Sequence, residues 1–210
     1  TPTSPSEWRF LNTGAGTAAF NMAVDEAISD AVRNESTPPT IRVYTWQPSA
    51  VSIGYAQKLD EEVDTGRCDQ YGIDIVRRQT GGRTVLHAQE LTYSVIAPDD
   101  HPAIGSSAYE NYRKVSEALL IALEYIGIPG ELAVGPDATP EGFQGACFSY
   151  AARFEVVVQA RKIVGSAQRR ARGIVLQHGS MLLGPGHKRL PLLLPHTQHE
   201  KRNTLIQDLD

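Results

Sequence analysis

The chain is short of most features that would make classification quick. It has two cysteines, two methionines and two tryptophans in 210 residues, and no apolar run approaches the roughly 20 residues a membrane span needs. Each shortage excludes a class. Cys68 and Cys147 cannot build a disulfide framework, and no CxxC or HExxH spacing marks a metal centre. Positive charge is not in excess: 20 Lys and Arg face 24 Asp and Glu, a formal charge of −4, which argues against a general nucleic-acid binder. The opening Thr1-Pro2-Thr3-Ser4-Pro5-Ser6 lacks the basic-then-apolar pattern of a secretory signal. The expectation is therefore a cytoplasmic protein that does not engage a membrane. Lacking an initiator Met, it is expected to have been trimmed or to begin inside a longer reading frame. What remains, 41% hydrophobic and 21% charged, is ordinary globular composition, and the length can bury a core without staples.

Periodicity organises that material. Phe20, Val24, Ala27, Ile28 and Val32 recur at three- and four-residue steps, so residues 17–33 read as an amphipathic helix. Residues 41–46 alternate like a half-buried strand, and 50–54 read as a second. Residues 59–71 open with Asp60, Glu61, Glu62 and Asp64, which suits a helix N-terminus because aligned peptide dipoles favour negative charge there. Segments 73–78 and 91–97 read as strands around a glycine turn, and 109–126 as a long helix closed by Gly127 and Pro129. Residues 154–158 and 162–164 form a hairpin around Gln159-Ala160, and 173–183 another strand. Strands come in clusters, so the expected fold is α/β in the α+β sense, a mixed β-sheet flanked by helices. One catalytic domain would span 1–210, with 1–7 a loose leader and 184–210 a C-terminal segment that the pattern does not place.

Three segments could carry chemistry. In Arg77-Arg78-Gln79-Thr80-Gly81-Gly82-Arg83, followed by His87, paired glycines let backbone approach a ligand and the arginines offer donors to a carboxylate, phosphate or carbonyl. A plain glycine β-turn with solvated arginines fits the same residues, and the spacing is not a nucleotide fingerprint. In Gly142-Phe143-Gln144-Gly145-Ala146-Cys147, a cysteine in a glycine-rich loop could act as a nucleophile. A small buried hydrophobe is the commoner fate of a free cysteine, and Cys68, within a helix and without an activating neighbour, fits that fate better. In the third segment, Lys162 alternates with apolar residues before Gly165 bends the chain. Facing solvent it is an ordinary edge-strand lysine; facing a cleft, desolvation would suit it to proton transfer. Arg161, Lys162, Arg169, Arg170 and Arg172 concentrate positive charge that could be a solvated face or a dock for an acidic partner. His178 beside Gly179 is either a site residue or a hydrogen-bonded core histidine. Composition and spacing alone yield no reaction.

Seven runs in order do more. Residues 21–27, 48–54, 75–83, 86–94, 146–148, 161–168 and 176–180 together resemble the lipoate/biotin protein ligase superfamily, and more closely its octanoyltransferase branch of the LipM type. The resemblance implies a biotin/lipoate protein ligase-like catalytic domain bordering an acyl tunnel. It implies transfer of an octanoyl group from octanoyl-acyl carrier protein to a lysine of a lipoyl domain, such as the glycine cleavage H protein, without a cofactor and by a monomer. Cys147 would form the thioester, with Lys162 beside it as acid/base or thiolate stabiliser. Arg77, Arg78, Gly81, Gly82 and His87 would cover the polar end of the acyl group, with Gly165, Ser166, Ala167, His178 and Gly179 against the same tunnel. Ala160 stands where many relatives have glycine, and Ala88-Gln89 replaces an Asp-containing continuation. Relatives carry several tens of residues beyond Leu205, so the chain is expected to be a short variant or a truncated one. Three other activities compete: an ATP-dependent lipoate ligase, an amidotransferase between lipoyl domains, and a non-catalytic acyl-binding scaffold.

Overall fold

The computed structural model describes residues 7–134 and 154–195. Its elements run β1 Arg9–Gly16, α1 Ala18–Arg33, β2 Thr40–Trp46, β3 Ala50–Ile53, α2 Leu59–Glu62, α3 Thr65–Gln70, β4 Asp74–Arg77, β5 Val85–His87, β6 Glu90–Pro98, α4 Ala108–Tyr125, β7 Glu131–Leu132, β8 Val156–Val158, β9 Arg161–Lys162, β10 Val164–Ala171, β11 Ile174–Leu182 and a 3-10 segment Pro185–Leu193. They make a mixed five-stranded sheet in the order β1-β2-β6-β11-β10, a small mixed sheet β4-β3-β5, and a hairpin sheet β7-β8-β9. β1 is the one parallel neighbour in the large sheet, and its register shifts at a bulge between Asn12 and Ala15. The α/β expectation of mixed sheets with flanking helices is met.

Several elements follow from local chemistry. Thr17 caps α1 by accepting the Phe20 N–H, and Ser107 caps α4 by accepting the Glu110 N–H. The inward face of α1 differs from the apolar periodicity, however. Phe20 and Ala27 are exposed, while Asn21, Asp25 and Ser29 are buried beside Met22, Ile28 and Val32. The reason lies below the helix, where Arg42 of β2 is wholly buried and needs partners.

Residues 59–71 form two short helices rather than one. Val63 breaks between them with extended backbone and is buried in a cluster with Ile53, Cys68, Leu86 and Leu193. Burying that valine is worth roughly 1.5–3 kcal/mol, more than the roughly 1 kcal/mol of a helical hydrogen bond. Asp64 then caps α3 through the Arg67 N–H. The 3-10 segment, unplaced by the sequence pattern, supplies Leu190 and Leu193 to the same cluster, with Leu194 following it.

The break near Lys162 falls at Ile163 rather than Gly165. The Ile163 N–H goes to the Val156 carbonyl of the hairpin, while its own carbonyl accepts the Leu182 N–H of β11. One chain run thus switches partner sheets at this residue and places Lys162 at the junction. The β8–β9 turn has positive φ at both Gln159 (51°) and Ala160 (60°), the twist that two-residue hairpins favour.

Candidate active site

The glycine turn, β10 and β11 converge on one cavity. Its walls include Met22 from α1, Tyr44 and Trp46 from β2, and Val85 from β5. Polar positions come from Ser52, Arg78, His87 and His178, and the β10 wall from Gly165, Ser166 and Ala167. Gly82 and Gly179 also line it. β10 and β11 pair Gly165 with Ser180, Ser166 with Gly179 and Ala167 with His178, so this wall is regular antiparallel sheet. Gly179 is required there: an added Cβ would sit 2.7 Å from the Gly165 carbonyl oxygen and from the Tyr93 ring. Gly54 is required beneath the turn, where a Cβ would come within 2.2 Å of the Gly82 carbonyl oxygen.

The polar walls are internally satisfied. Arg78 donates to the Ser52 carbonyl and hydroxyl at 3.0 Å, and to the Gly81 and Arg83 carbonyls at 2.8 and 2.6 Å. It therefore shapes the glycine turn as well as lining the cavity. His87 lies stacked on Trp46 at 4.1 Å between ring centroids. Its Nδ1 is 2.8 Å from Glu90 Oε1 and its Nε2 is 2.7 Å from the Ser52 hydroxyl. A carboxylate only accepts, which assigns the proton to Nδ1 and leaves Nε2 to accept from Ser52. Burial pushes the Glu90 carboxyl up, but His87, Ser180 and Thr92 together hold it below its ordinary value.

Behind the cavity, Asp25 gathers Arg42 at 2.7 Å, Ser94 at 3.0 Å and Tyr44 at 3.1 Å. Burial acts against its charged form, but interactions with His178 and Arg42 outweigh this and lower its pKa. His178 sits 2.6 Å from the Thr80 hydroxyl. Burial is the largest influence on its imidazole and shifts it toward the neutral form, against the opposing Asp25 carboxylate.

Not every residue singled out in the sequence meets this cavity. Arg77, alternating with Arg78, turns away and donates to the Gly54, Tyr55 and Gln57 carbonyls. Gly81 stands just outside, its carbonyl held by Arg78. Lys162 lies at the start of the run that becomes β10, its ammonium 2.8 Å from Glu155 Oε1, with side chains 5% and 9% exposed. Cys147 lies outside the described residues. Cys68 is buried, and burial with the nearby Asp64 charge pushes its thiol up to about 11, as suits a core residue. Asp25, Ser52 and Glu155 were not singled out by the sequence reading. For Asp25 a signal existed: Asn21, Asp25 and Ser29 recur every four residues beside apolar positions, a polar stripe on an inward face.

The basic run 161–172 is not one surface. Arg170 projects to the α4 side and donates to the Gly105 carbonyl at 2.8 Å and to the Asp99 carbonyl. Arg169 projects to the α1 side, donates to the Gln79 carbonyl at 3.1 Å and lies over the Tyr55 ring. There it joins Arg33, Arg77 and Arg172 around an open cleft of about 340 Å³ that also carries Glu26 and Asp30. Among the described residues no His/Cys/Asp/Glu group could hold a metal ion, and no helix is long and apolar enough to cross a membrane.

Comparison with known proteins fits this geometry. An octanoyltransferase LipM of Kyrpidia tusciae is 48% identical over 183 residues, covering 84% of this chain and 66% of that protein. An octanoyltransferase LipM of Geobacillus kaustophilus is 41% identical over 207 residues, covering 96% and 74%. The matches thus span about two thirds to three quarters of the length of these relatives. A solved bi-partite lipoate protein ligase from Thermoplasma acidophilum superposes with a TM-score of 0.74 at 25% identity, covering 97% of this chain and 72% of that one. The family model of the lipoyl protein ligase A/B catalytic domain matches residues 17–208, and the chain belongs to that family.

Proposed function

We propose that this chain is the catalytic part of an octanoyltransferase, moving an octanoyl group from acyl carrier protein to a lysine of a lipoyl domain through a thioester on Cys147. The observation that carries the reading is the cavity bounded by Met22, Tyr44, Trp46 and Val85, in a chain 41–48% identical to octanoyltransferases LipM. Six buried methylenes of an octanoyl chain would contribute roughly 5 kcal/mol at about 0.8 each. Apolar contact therefore suffices to bind the acyl group.

The chemistry runs in two balanced steps. The Cys147 thiol gives up its proton and, as thiolate, attacks the donor's carbonyl carbon; the bond to the carrier sulfur breaks, and that sulfur takes up the released proton. The acceptor lysine, as a neutral amine, then attacks the enzyme thioester, forming an amide. Its proton returns the cysteine to its starting state. Charge develops on the carbonyl oxygen in both steps, so donors fixed where that oxygen sits lower the barrier. An edge strand such as β10 directs half of its N–H groups away from its neighbour, and Lys162 adds a cationic donor at the strand's start. A cation beside the cysteine also favours its thiolate.

The test is incubation with octanoyl-acyl carrier protein, without ATP, followed by intact-mass measurement. A stable gain of one octanoyl group that disappears in Cys147→Ala supports the reading. Gain only from free octanoate or lipoate with ATP would indicate a ligase instead. Octanoyl transfer only between lipoyl domains would indicate an amidotransferase. Retention of octanoate without turnover would indicate a binding scaffold.

A further inference from the structure

We propose that Glu155 is the positioning residue for Lys162: it fixes the ammonium at the sheet junction and keeps it charged, so that Lys162 rests as a cationic donor rather than as a neutral base. For its effect on rate the inference rests on the acyl-transfer reading; for its effect on the amine it does not.

The hairpin dictates the pairing. Val157 stands opposite Lys162 across the β8–β9 ladder. Glu155, two residues before Val157, therefore lies on the same face and diagonal to Lys162, within reach of long side chains. The resulting contact is 2.8 Å, and both side chains are more than nine-tenths buried. Tyr112 of α4 donates its hydroxyl to the same carboxylate oxygen at 3.3 Å, fixing Glu155 from a second element. Among the described residues, Tyr93 of β6 is a further ionisable group on this side; burial, aided by the Glu155 charge, raises its phenol, which stays neutral and adds no competing charge.

Without a counter-charge, burial favours the neutral amine of a lysine, and its four-carbon stem leaves the nitrogen free to wander. A carboxylate at hydrogen-bond distance opposes both tendencies. The pair thereby distinguishes between the two roles that the sequence left open for Lys162. The resting form is the ammonium, suited to stabilising a thiolate or a carbonyl oxygen as negative charge forms.

The direct test reads the lysine, not the reaction. Trace acetylation with acetic anhydride across pH, quantified on the Lys162 peptide by mass spectrometry, is compared between the unaltered protein, Glu155→Gln and Glu155→Asp. Loss of the charge in Glu155→Gln should move Lys162 reactivity to lower pH by on the order of one unit, about a tenfold faster reaction at pH 8. Glu155→Asp, charged but shorter, should fall between the two; if the Gln variant fails to fold, this shift carries the test. In octanoyl transfer, Glu155→Gln should lose rate first at high pH and recover as pH falls, with kcat moved more than KM.

Identical Lys162 reactivity profiles in folded variants would overturn the proposal, as would a uniform rate loss at every pH. A shifted reactivity profile in a protein that never transfers octanoate would leave the pairing standing and remove the transferase reading.

Discussion

Asp25–Arg42 and Glu155–Lys162 are both buried ion pairs, with contacts of 2.7 and 2.8 Å, but they are built for different purposes. Arg42 joins helix to sheet: its guanidinium also donates to the Thr13 hydroxyl and to the Asn21 carbonyl and side-chain oxygens. Arginine cannot lose its proton at any working pH, and its flat fork fits several acceptors at once. The Arg42 pair is therefore architecture. Lysine can release its proton, and Lys162 sits where one run of chain passes from the hairpin to the cavity wall. Arg42 is surrounded by several acceptors; in the proposed reading Lys162 takes part in acyl transfer, and Glu155 is a partner that tunes it.

The comparison can be broken most forcefully at Asp25. Asp25→Asn leaves Arg42 buried without its counter-charge, and the expected cost is about 3–5 kcal/mol in urea denaturation. Swapping both partners, as Asp25→Leu with Arg42→Met, should still cost at least about 3 kcal/mol, because Thr13, Asn21, Tyr44 and Ser94 lose their acceptors or donors. The hairpin pair should behave oppositely. Lys162→Met with Glu155→Leu should leave the free energy of unfolding within about 1 kcal/mol of its starting value, while octanoyl transfer falls by about 10²- to 10⁴-fold. If both double variants cost the same stability, the distinction between the pairs is wrong.

The buried cysteine sharpens the same division at smaller scale. With its thiol near 11, roughly one Cys68 in a thousand is ionised at pH 8, so iodoacetamide should label it very slowly, about tenfold faster per unit of rising pH until 11. Cys68→Ala should cost about 1 kcal/mol and leave octanoyl transfer unchanged. The smallest effect belongs to the turn beneath Lys162. Ala160→Gly relieves a left-handed backbone on a residue with a Cβ but frees the unfolded chain, so thermal unfolding should show a net gain of about 0.5 kcal/mol.

Much of this was legible in the sequence, for physical reasons. α1 and α4 follow from periodicity and caps to within a residue. The glycine turn, β10 and His178, all marked in the sequence, lie around one cavity. What escaped was decided at long range. The stripe of Asn21, Asp25 and Ser29 hints at an inward polar face, but it does not say that Arg42, 17 positions later, waits beneath Asp25. β1 went unread because a half-exposed strand carrying Asn12, Thr13 and two glycines has no clean alternation. Val63 ended a helix for the sake of a core completed by residues 190–194. Glu155 looked like one more charge in the strand read at 154–158 until the hairpin register set it diagonal to Lys162.

The bulge in β1 has a consequence for life in a crowded solution. Among the described residues the five-stranded sheet has two borders, β1 and β10, and a flat border is a template on which a foreign strand can add and seed fibrils. At one border the shift between Asn12 and Ala15 spoils the even spacing that an incoming strand must match. At the other, Arg169 and Arg170 project to opposite faces, so an approaching copy of the same strand meets like charge whichever way it turns. The sheet thus carries its own protection against edge-to-edge growth.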